Sequence, residues 1–335
     1  MDINGKYSKE LHERSLVIDI HDHMLEVPDF EDMSSGGVTA KFCHLSIDEY
    51  IFDSPEYWSP KDPLVRFLRS MEHIYSVSER SNGRIVIVKK ASDIEKAKKE
   101  GHIGLLLGNE GGGFLKGSIG LLQLFYRFGL RFIQLTWAKT NELATAQSEY
   151  DSRKGLTKTG RRVITEMCRL GMIIDLSHLS RRSIEDCFEL SDRPMIFSHG
   201  NVSINSNSAC LDKGQMRSLA QNRGIIGMHF CSHIIEPGYT NRYIQASIDE
   251  LLDSIETAIE FGGEDCIALG PDFMPMHPFY LKSTNQEWLS HVKGVENIGK
   301  MSNITDAMVR RGYSDELIGK ILGGNAIRVI REAIG

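Results

Sequence analysis

Residues 157–199 read TKTGRRVITEMCRLGMIIDLSHLSRRSIEDCFELSDRPMIFSH, and this stretch contains two consecutive units of a helical pattern followed by a short apolar run. The first helical pattern, Lys158–Leu170, follows Thr157 in the N-cap position and precedes Gly171, which suits a helix C-terminus. The apolar runs Met172–Leu176 and Met195–Phe197 are each followed by Ser-His. Fully apolar strands that alternate with helices are typical of a parallel sheet covered on both faces.

The same alternation continues on both sides of this stretch. Further apolar runs predict strands at Leu16–Ile20, Ile103–Leu107, Phe132–Leu135, Ile225–Phe230 and Cys266–Leu269. Seven or eight such units favour a (β/α)8 barrel over a doubly wound sheet, and no glycine-rich nucleotide-binding motif follows the first strand. We expect the segment from about Glu26 to Asn82 to be irregular, and the helical patterns after Asp272 to cap a single domain of residues 1–335.

Composition restricts the class of function. The 335 residues are 41% hydrophobic and 25% charged, as in an ordinary soluble enzyme. A net charge of −6 offers no electrostatic basis for binding nucleic acid or an anionic membrane. The six cysteines are scattered, which suits free thiols in a reducing compartment. Without a signal-peptide pattern or an apolar run of membrane-spanning length, the sequence predicts a cytoplasmic protein.

The pair His21 and His23 directly follows the first predicted strand. Alternate residues of a strand point to the same side, so both imidazoles are expected to face one space while Asp22 faces another. Two imidazoles at a strand's carboxyl end suit a divalent metal site. Two surface histidines in a turn would give the same pattern, so this pair alone leaves both interpretations open.

Further candidate ligands follow other predicted strands. Glu110 stands among glycines after the strand Ile103–Leu107, where it suits a bridging ligand, although a loop glutamate held by backbone amides would look the same. His178 and His199 end consecutive units in the same strand-Ser-His form, 21 residues apart, which favours a functional role. Asp272 follows the last predicted strand and is placed to act as a general base toward a metal-held water.

These residues, together with the stretch from Leu156 to His199, resemble the membrane (renal-type) dipeptidase family, peptidase family M19, whose members are amidohydrolase-like zinc metallopeptidases. The resemblance covers nearly the whole chain. It implies a (β/α)8 barrel, two zinc ions bridged by Glu110, and a homodimer. It places one zinc on His21 and His23 and the other on His178 and His199, with Asp272 at the position of the family's catalytic aspartate.

The sequence departs from the family pattern at three positions. His23 stands where the family has an aspartate, and Trp137 stands where animal members have a histidine that stabilises the oxyanion. Cys210 lies where an arginine is expected to grip the substrate's terminal carboxylate. Because an arginine-carboxylate pair is bidentate and charge-assisted, its loss predicts a substrate other than an ordinary free dipeptide.

Three functional classes follow. The first is a binuclear zinc hydrolase of a dipeptide-like or related small amide, with Trp137, Asn141, Cys210 and His229 as the candidate substrate-binding residues. The second is a mononuclear amidohydrolase or deaminase, which would have no use for a bridging Glu110. The third is a non-catalytic binding module, which would not be expected to keep five candidate ligands together with Asp272.

Overall fold

The computed structural model describes residues 3–23, 29–49, 60–149, 152–202, 210–235, 245–273 and 291–335. The strands of this part of the chain are β1 (Ile18–Asp22), β2 (Ala40–Ile47), β3 (Ile85–Ile87), β4 (Ile103–Glu110), β5 (Leu130–Gln134), β6 (Ile173–Asp175), β7 (Ile196–Val202), β8 (Cys210–Leu211), β9 (Ile225–Met228) and β10 (Ile267–Leu269).

Eight of these strands form a closed parallel barrel. They pair in the order β2-β1-β10-β9-β7-β6-β5-β4, and β4 pairs with β2 to close the ring. The short strands β3 and β8 lie outside the ring, on β4 and β7. The predicted (β/α)8 barrel is confirmed, and its parallel strands present their carboxyl ends at one mouth.

The α-helices that surround the barrel in the described residues are α1 (Ile3–Arg14), α2 (Asp29–Ser35), α3 (Pro63–Arg80), α4 (Ala91–Glu100), α5 (Ile119–Arg127), α6 (Lys158–Leu170), α7 (Arg181–Leu190), α8 (Lys213–Gln221), α9 (Ser232–Ile235), α10 (Ile248–Gly262), α11 (Ser302–Arg311), α12 (Asp315–Gly319) and α13 (Asn325–Ala333). The predicted ends of α6 are confirmed: the Thr157 hydroxyl accepts a hydrogen bond from Gly160 N, and Gly171 is left-handed with φ 75°. No helix in the described ranges combines the length and the apolar character needed to cross a bilayer.

Apolar side chains of the barrel separate into two layers. Neighbouring residues of one strand contribute to different layers, as Ile173 does to the inner cluster and Ile174 to the outer one. This is the period-two alternation of a strand buried on both faces. The inner cluster also contains Ala326 and Ile330 of α13, so this helix packs against the inner apolar layer.

A register shift in β1 sets the direction of the first histidine pair. Asp19 pairs with Lys41, whereas Asp22 pairs with Cys43, so β1 contains one more residue than β2 over this interval.

Ile18 and Ile20 belong to the inner apolar cluster, and strict alternation would turn His21 outward. The irregularity instead brings the His21 ring against those of His44 and His199, at centroid distances of 4.0 and 3.7 Å.

The prediction that residues 26–82 are irregular is wrong for the described part of that segment. Helix α2, strand β2 and helix α3 lie there. Strand β2 was missed because polar residues interrupt its apolar pattern. The structure accommodates these polar groups in cross-strand contacts: Lys41 pairs with Asp22 at 3.0 Å, and Asn109 accepts hydrogen bonds from the backbone and hydroxyl of Ser46.

Candidate metal centre

Six predicted site residues meet at the mouth of the barrel. His21 lies within β1 and His23 directly follows it, while Glu110 is the last residue of β4. The remaining three, which come from or follow β6, β7 and β10, are His178, His199 and Asp272. His199 lies inside β7 because this strand runs to Val202, beyond its predicted end at Phe197. All six side chains are at most 14% exposed.

Glu110 lies between the two predicted histidine pairs. Its Oε2 atom is 3.0 Å from His23 Nε2, and its Oε1 atom is 2.9 Å from His178 Nε2. The Nε2 atoms of His21 and His199 are each 3.8 Å from Oε1. One carboxylate therefore contacts ligands of both predicted metal positions, as a bridging residue must.

Asp272 lies on the side of the first-strand pair. Its Oδ1 atom is 3.6 Å from His21 Nε2 and 3.7 Å from His23 Nε2. Its Oδ2 atom is 3.3 Å from His229 Nε2. Asp272 can therefore reach the same space as the two imidazoles, and its second oxygen is engaged by His229.

The chemistry of this cluster suits divalent cations. Buried His21 Nε2 and Asp272 Oδ1 have no hydrogen-bond partner among the described residues, although they face each other. The Nε2 atoms of His178 and His199 lie only 2.9 Å apart. The potential ligand atoms fall into compact groups that include His21 with His23 and Asp272, and His21 with Glu110 and His199. Imidazole nitrogens with carboxylate oxygens are ligands that zinc accepts.

Burial and mutual charge shift the ionisation of the cluster. Burial, reinforced by neighbouring His178, lowers the pKa of His199 to about 3. Burial also pushes the pKa of Glu110 upward, but the charge of His23 and the hydrogen bond from His178 hold it well below its usual range. Burial raises the pKa of Asp272 and the hydrogen bond from His229 lowers it, and the net result is a pKa below the ordinary value. Ionised carboxylates beside neutral His199 suit metal ligation.

Two site residues have left-handed backbones, which non-glycine residues seldom adopt. These are His178, with φ 62°, and Asp272, with φ 55°. The hydroxyl of Thr136 donates to the carbonyl of His178, and the backbone N–H of Asp272 donates to the carbonyl of His21. Such conformations cost about 1–3 kcal/mol and persist where the surroundings enforce them, as at functional sites.

His44 and Asp175 form a polar layer beneath the cluster that sequence analysis missed. His44 Nε2 is 3.9 Å from Asp175 Oδ2, and both side chains are fully buried. Asp175 Oδ1 accepts hydrogen bonds from the backbone N–H groups of Ser177 and Ser198. The segment that contains His44 was predicted to be irregular, so no strand pattern directed attention to it.

The four candidate substrate-binding residues occupy different environments. The Trp137 ring is 6.5 Å from that of His178, which places it beside the cluster. His229 contacts Asp272.

Asn141 stabilises the loop in which it lies. Its amide N–H group donates to Asp48 Oδ2 and to the Leu135 carbonyl, and its amide oxygen accepts from the backbone N–H groups of Leu143 and Ala144.

Cys210 lies in β8 beside Asn201 and is buried. Burial raises the pKa of its thiol to about 12, so the group is neutral at physiological pH. Cys210 therefore cannot supply the positive charge that an arginine would bring to this position.

The fold and the cluster define a (β/α)8 barrel with a candidate metal centre at the carboxyl ends of its strands. Residues 7–334 match the model of the membrane dipeptidase family, peptidase family M19, and the chain belongs to that family.

Individual relatives agree with this assignment. The dipeptidase tcpJ of Claviceps purpurea is 33% identical over 267 residues, which cover 79% of this chain and 59% of that protein. The match thus spans less than two thirds of this relative's length.

Solved structures share the fold. An amidohydrolase from Pseudomonas aeruginosa has a TM-score of 0.86 at 25% identity, with 98% of this chain and 99% of that chain covered. A metallopeptidase from Rhodobacter sphaeroides, bound to a phosphinate mimic of the dipeptide L-Ala-D-Ala, has a TM-score of 0.79 at 20% identity, with 96% and 100% covered.

Proposed function

We propose that this chain is a metal-dependent hydrolase that cleaves a dipeptide-like substrate or a related small amide. The main observation behind this proposal is the position of Glu110, whose two carboxylate oxygens contact His23 and His178 at 3.0 and 2.9 Å, respectively. A buried carboxylate shared by two histidine pairs supports a binuclear centre over a mononuclear one. Membership of the dipeptidase family supports the reaction class.

Zinc is the proposed metal, with two ions per chain. His21 and His23 would hold one ion, His178 and His199 the other, and Glu110 both. Two such ions lower the pKa of a bound water and polarise the carbonyl that it attacks. The replacement of the family's aspartate by His23 keeps a ligand but removes one negative charge from the first position.

Asp272 is the proposed acid-base group. Its Oδ1 atom faces the space between His21 and His23, and its lowered pKa means that the carboxylate is ionised and carries no proton before the reaction. In the proposed reaction it takes the proton of the attacking water and returns it to the leaving nitrogen. This assigns general-base and then general-acid duty to one carboxylate.

The substrate is proposed to lack a free carboxylate at the end that faces Cys210. The neutral thiol cannot form a charged pair. Nearby Lys213 places its ammonium 4.5 Å from the centre of the Phe261 ring, so that cation is engaged elsewhere. Amides, lactams and blocked dipeptides meet this requirement. We assign one wall of their binding site to Trp137, and its ring distance of 6.5 Å from His178 supports this assignment.

Metal counting tests the proposed centre. Protein purified without chelator and dialysed against zinc should contain two ions per chain by inductively coupled plasma mass spectrometry. Glu110→Gln should lose metal, whereas Asn141→Ala, which alters a loop contact, should keep both ions. A wild-type value of one ion would replace the binuclear proposal with the mononuclear one.

A further inference from the structure

The hydroxyl of Ser198 contacts one histidine of each proposed metal position. Its Oγ atom is 3.0 Å from His21 Nδ1 and 3.1 Å from His199 Nδ1, and the residue is fully buried. A third contact, at 3.2 Å, joins it to the hydroxyl of Ser177. One oxygen thus links the His21 side of the centre to the His199 side.

The hydrogen-bonding capacity of a hydroxyl matches these three contacts. A serine oxygen accepts two hydrogen bonds and donates one. His21 and His199 both turn Nε2 toward Glu110, each at 3.8 Å from Oε1. If both imidazoles ligate through Nε2, each Nδ1 carries a proton and donates to Ser198, whose own proton goes to Ser177.

The backbone of Ser198 is held tightly in place. Its N–H donates to Asp175 Oδ1 at 3.1 Å, and the same oxygen accepts from Ser177 N. On the other side, Gly227 and Gly270 pack so closely that a Cβ atom on either would lie 1.9 Å from the Ser198 carbonyl oxygen. Little room is left for the strand to shift, so the hydroxyl stays in a defined position.

We infer that Ser198 is a positioning residue that fixes the tautomer and ring orientation of His21 and His199 together, and thereby couples the two metal positions. The inference rests on the proposed binuclear function. Partners that orient a ligating imidazole usually affect metal affinity about 10–100-fold when they are removed. Because one hydroxyl contacts both imidazole rings, its loss should weaken the binding of both ions and not of one alone.

Zinc dissociation constants measured by competition with a chromophoric chelator test this coupling. Ser198→Ala should raise both constants about 10-fold or more. The matched control is Ser70→Ala, which removes a fully buried hydroxyl of α3 that has no hydrogen-bond partner among the described residues, and should change either constant less than about threefold. Ser198→Ala with both constants unchanged, or with only one raised, would overturn the inference.

Imidazole NMR of the wild-type protein gives a second readout that does not depend on a variant folding. In 15N-histidine-labelled, zinc-loaded protein, His21 and His199 should both carry a proton on Nδ1 that exchanges slowly with water. An unprotonated Nδ1 on either residue would contradict the inference. Failure of the proposed function is distinguishable, because wild-type protein would then bind fewer than two ions before Ser198 is altered.

Discussion

The Nε2 atom of His229 lies 3.3 Å from Oδ2 of Asp272, and the backbone N–H of Cys231 donates to Nδ1 of the same imidazole at 2.9 Å. Since Nδ1 accepts a hydrogen bond, a neutral His229 carries its proton on Nε2 and donates it to Asp272. This hydrogen bond engages Oδ2 of the carboxylate, while Oδ1 faces His21 and His23. His229 is therefore placed to orient the proposed acid-base group.

The role of His229 can be separated from a substrate contact by kinetics. His229→Leu removes the donor to Asp272. We expect kcat to fall about 10–100-fold with metal content unchanged, because a misplaced acid-base group slows proton transfer after the substrate has bound. His229→Gln can still donate a hydrogen bond and should retain more activity. A raised KM with unchanged kcat would instead assign His229 to substrate binding.

Asp272→Asn tests the proton transfer directly. Asparagine keeps an oxygen near His21 and His23 but cannot accept the proton of an attacking water. We expect kcat to fall about 100-fold or more on the true substrate, with both metal ions retained. Steady-state kinetics and metal analysis of the same preparation check this, and undiminished turnover would remove Asp272 from the proposed role.

A substrate screen tests the consequence of a neutral Cys210. Free dipeptides should be hydrolysed about 100-fold or more less efficiently than by relatives that carry the arginine, because a lost charge-assisted pair accounts for a few kcal/mol, and matched C-terminal amides or cyclic amides should be the better substrates of this protein. The readout is kcat/KM for each matched pair. Free dipeptides with values in the usual range for enzymes on their substrates, about 10⁴–10⁸ M⁻¹s⁻¹, would show that another cation binds the carboxylate.

The buried pair Lys41 and Asp22 should control stability. Both side chains are fully buried at 3.0 Å, and Asp19 lies close enough to Asp22 for their charges to interact. Lys41→Met leaves two buried carboxylates without this ammonium, and we expect unfolding free energy to fall by about 3–5 kcal/mol. Urea unfolding of metal-free protein gives the value.

The double variant Lys41→Met with Asp22→Asn is the matched control for that prediction. It keeps the methionine of the single variant and removes the charge of Asp22, so that only Asp19 lacks the ammonium and part of the lost stability should return. A double variant as unstable as Lys41→Met would show that charge pairing does not account for the effect.

Much of the fold follows from local signals. Both ends of helix α6 could be predicted, because Thr157 caps its first turn with a side-chain hydrogen bond and Gly171 ends it with a left-handed backbone. Strand β2 could not be predicted, because Lys41, His44 and Ser46 interrupt its apolar pattern. Their burial makes physical sense only beside Asp22, Asp175 and Asn109, which come from other strands.

The sequence by itself determined the alternating architecture and the six candidate residues of the centre, since strand-end position and residue chemistry are both local. Only the tertiary structure decided how they meet. The irregularity in β1 turns His21 inward, His229 engages Asp272, and Ser198 joins His21 to His199. These relationships depend on how separate strands are registered around the closed barrel, and spacing along one strand carries no information about that register.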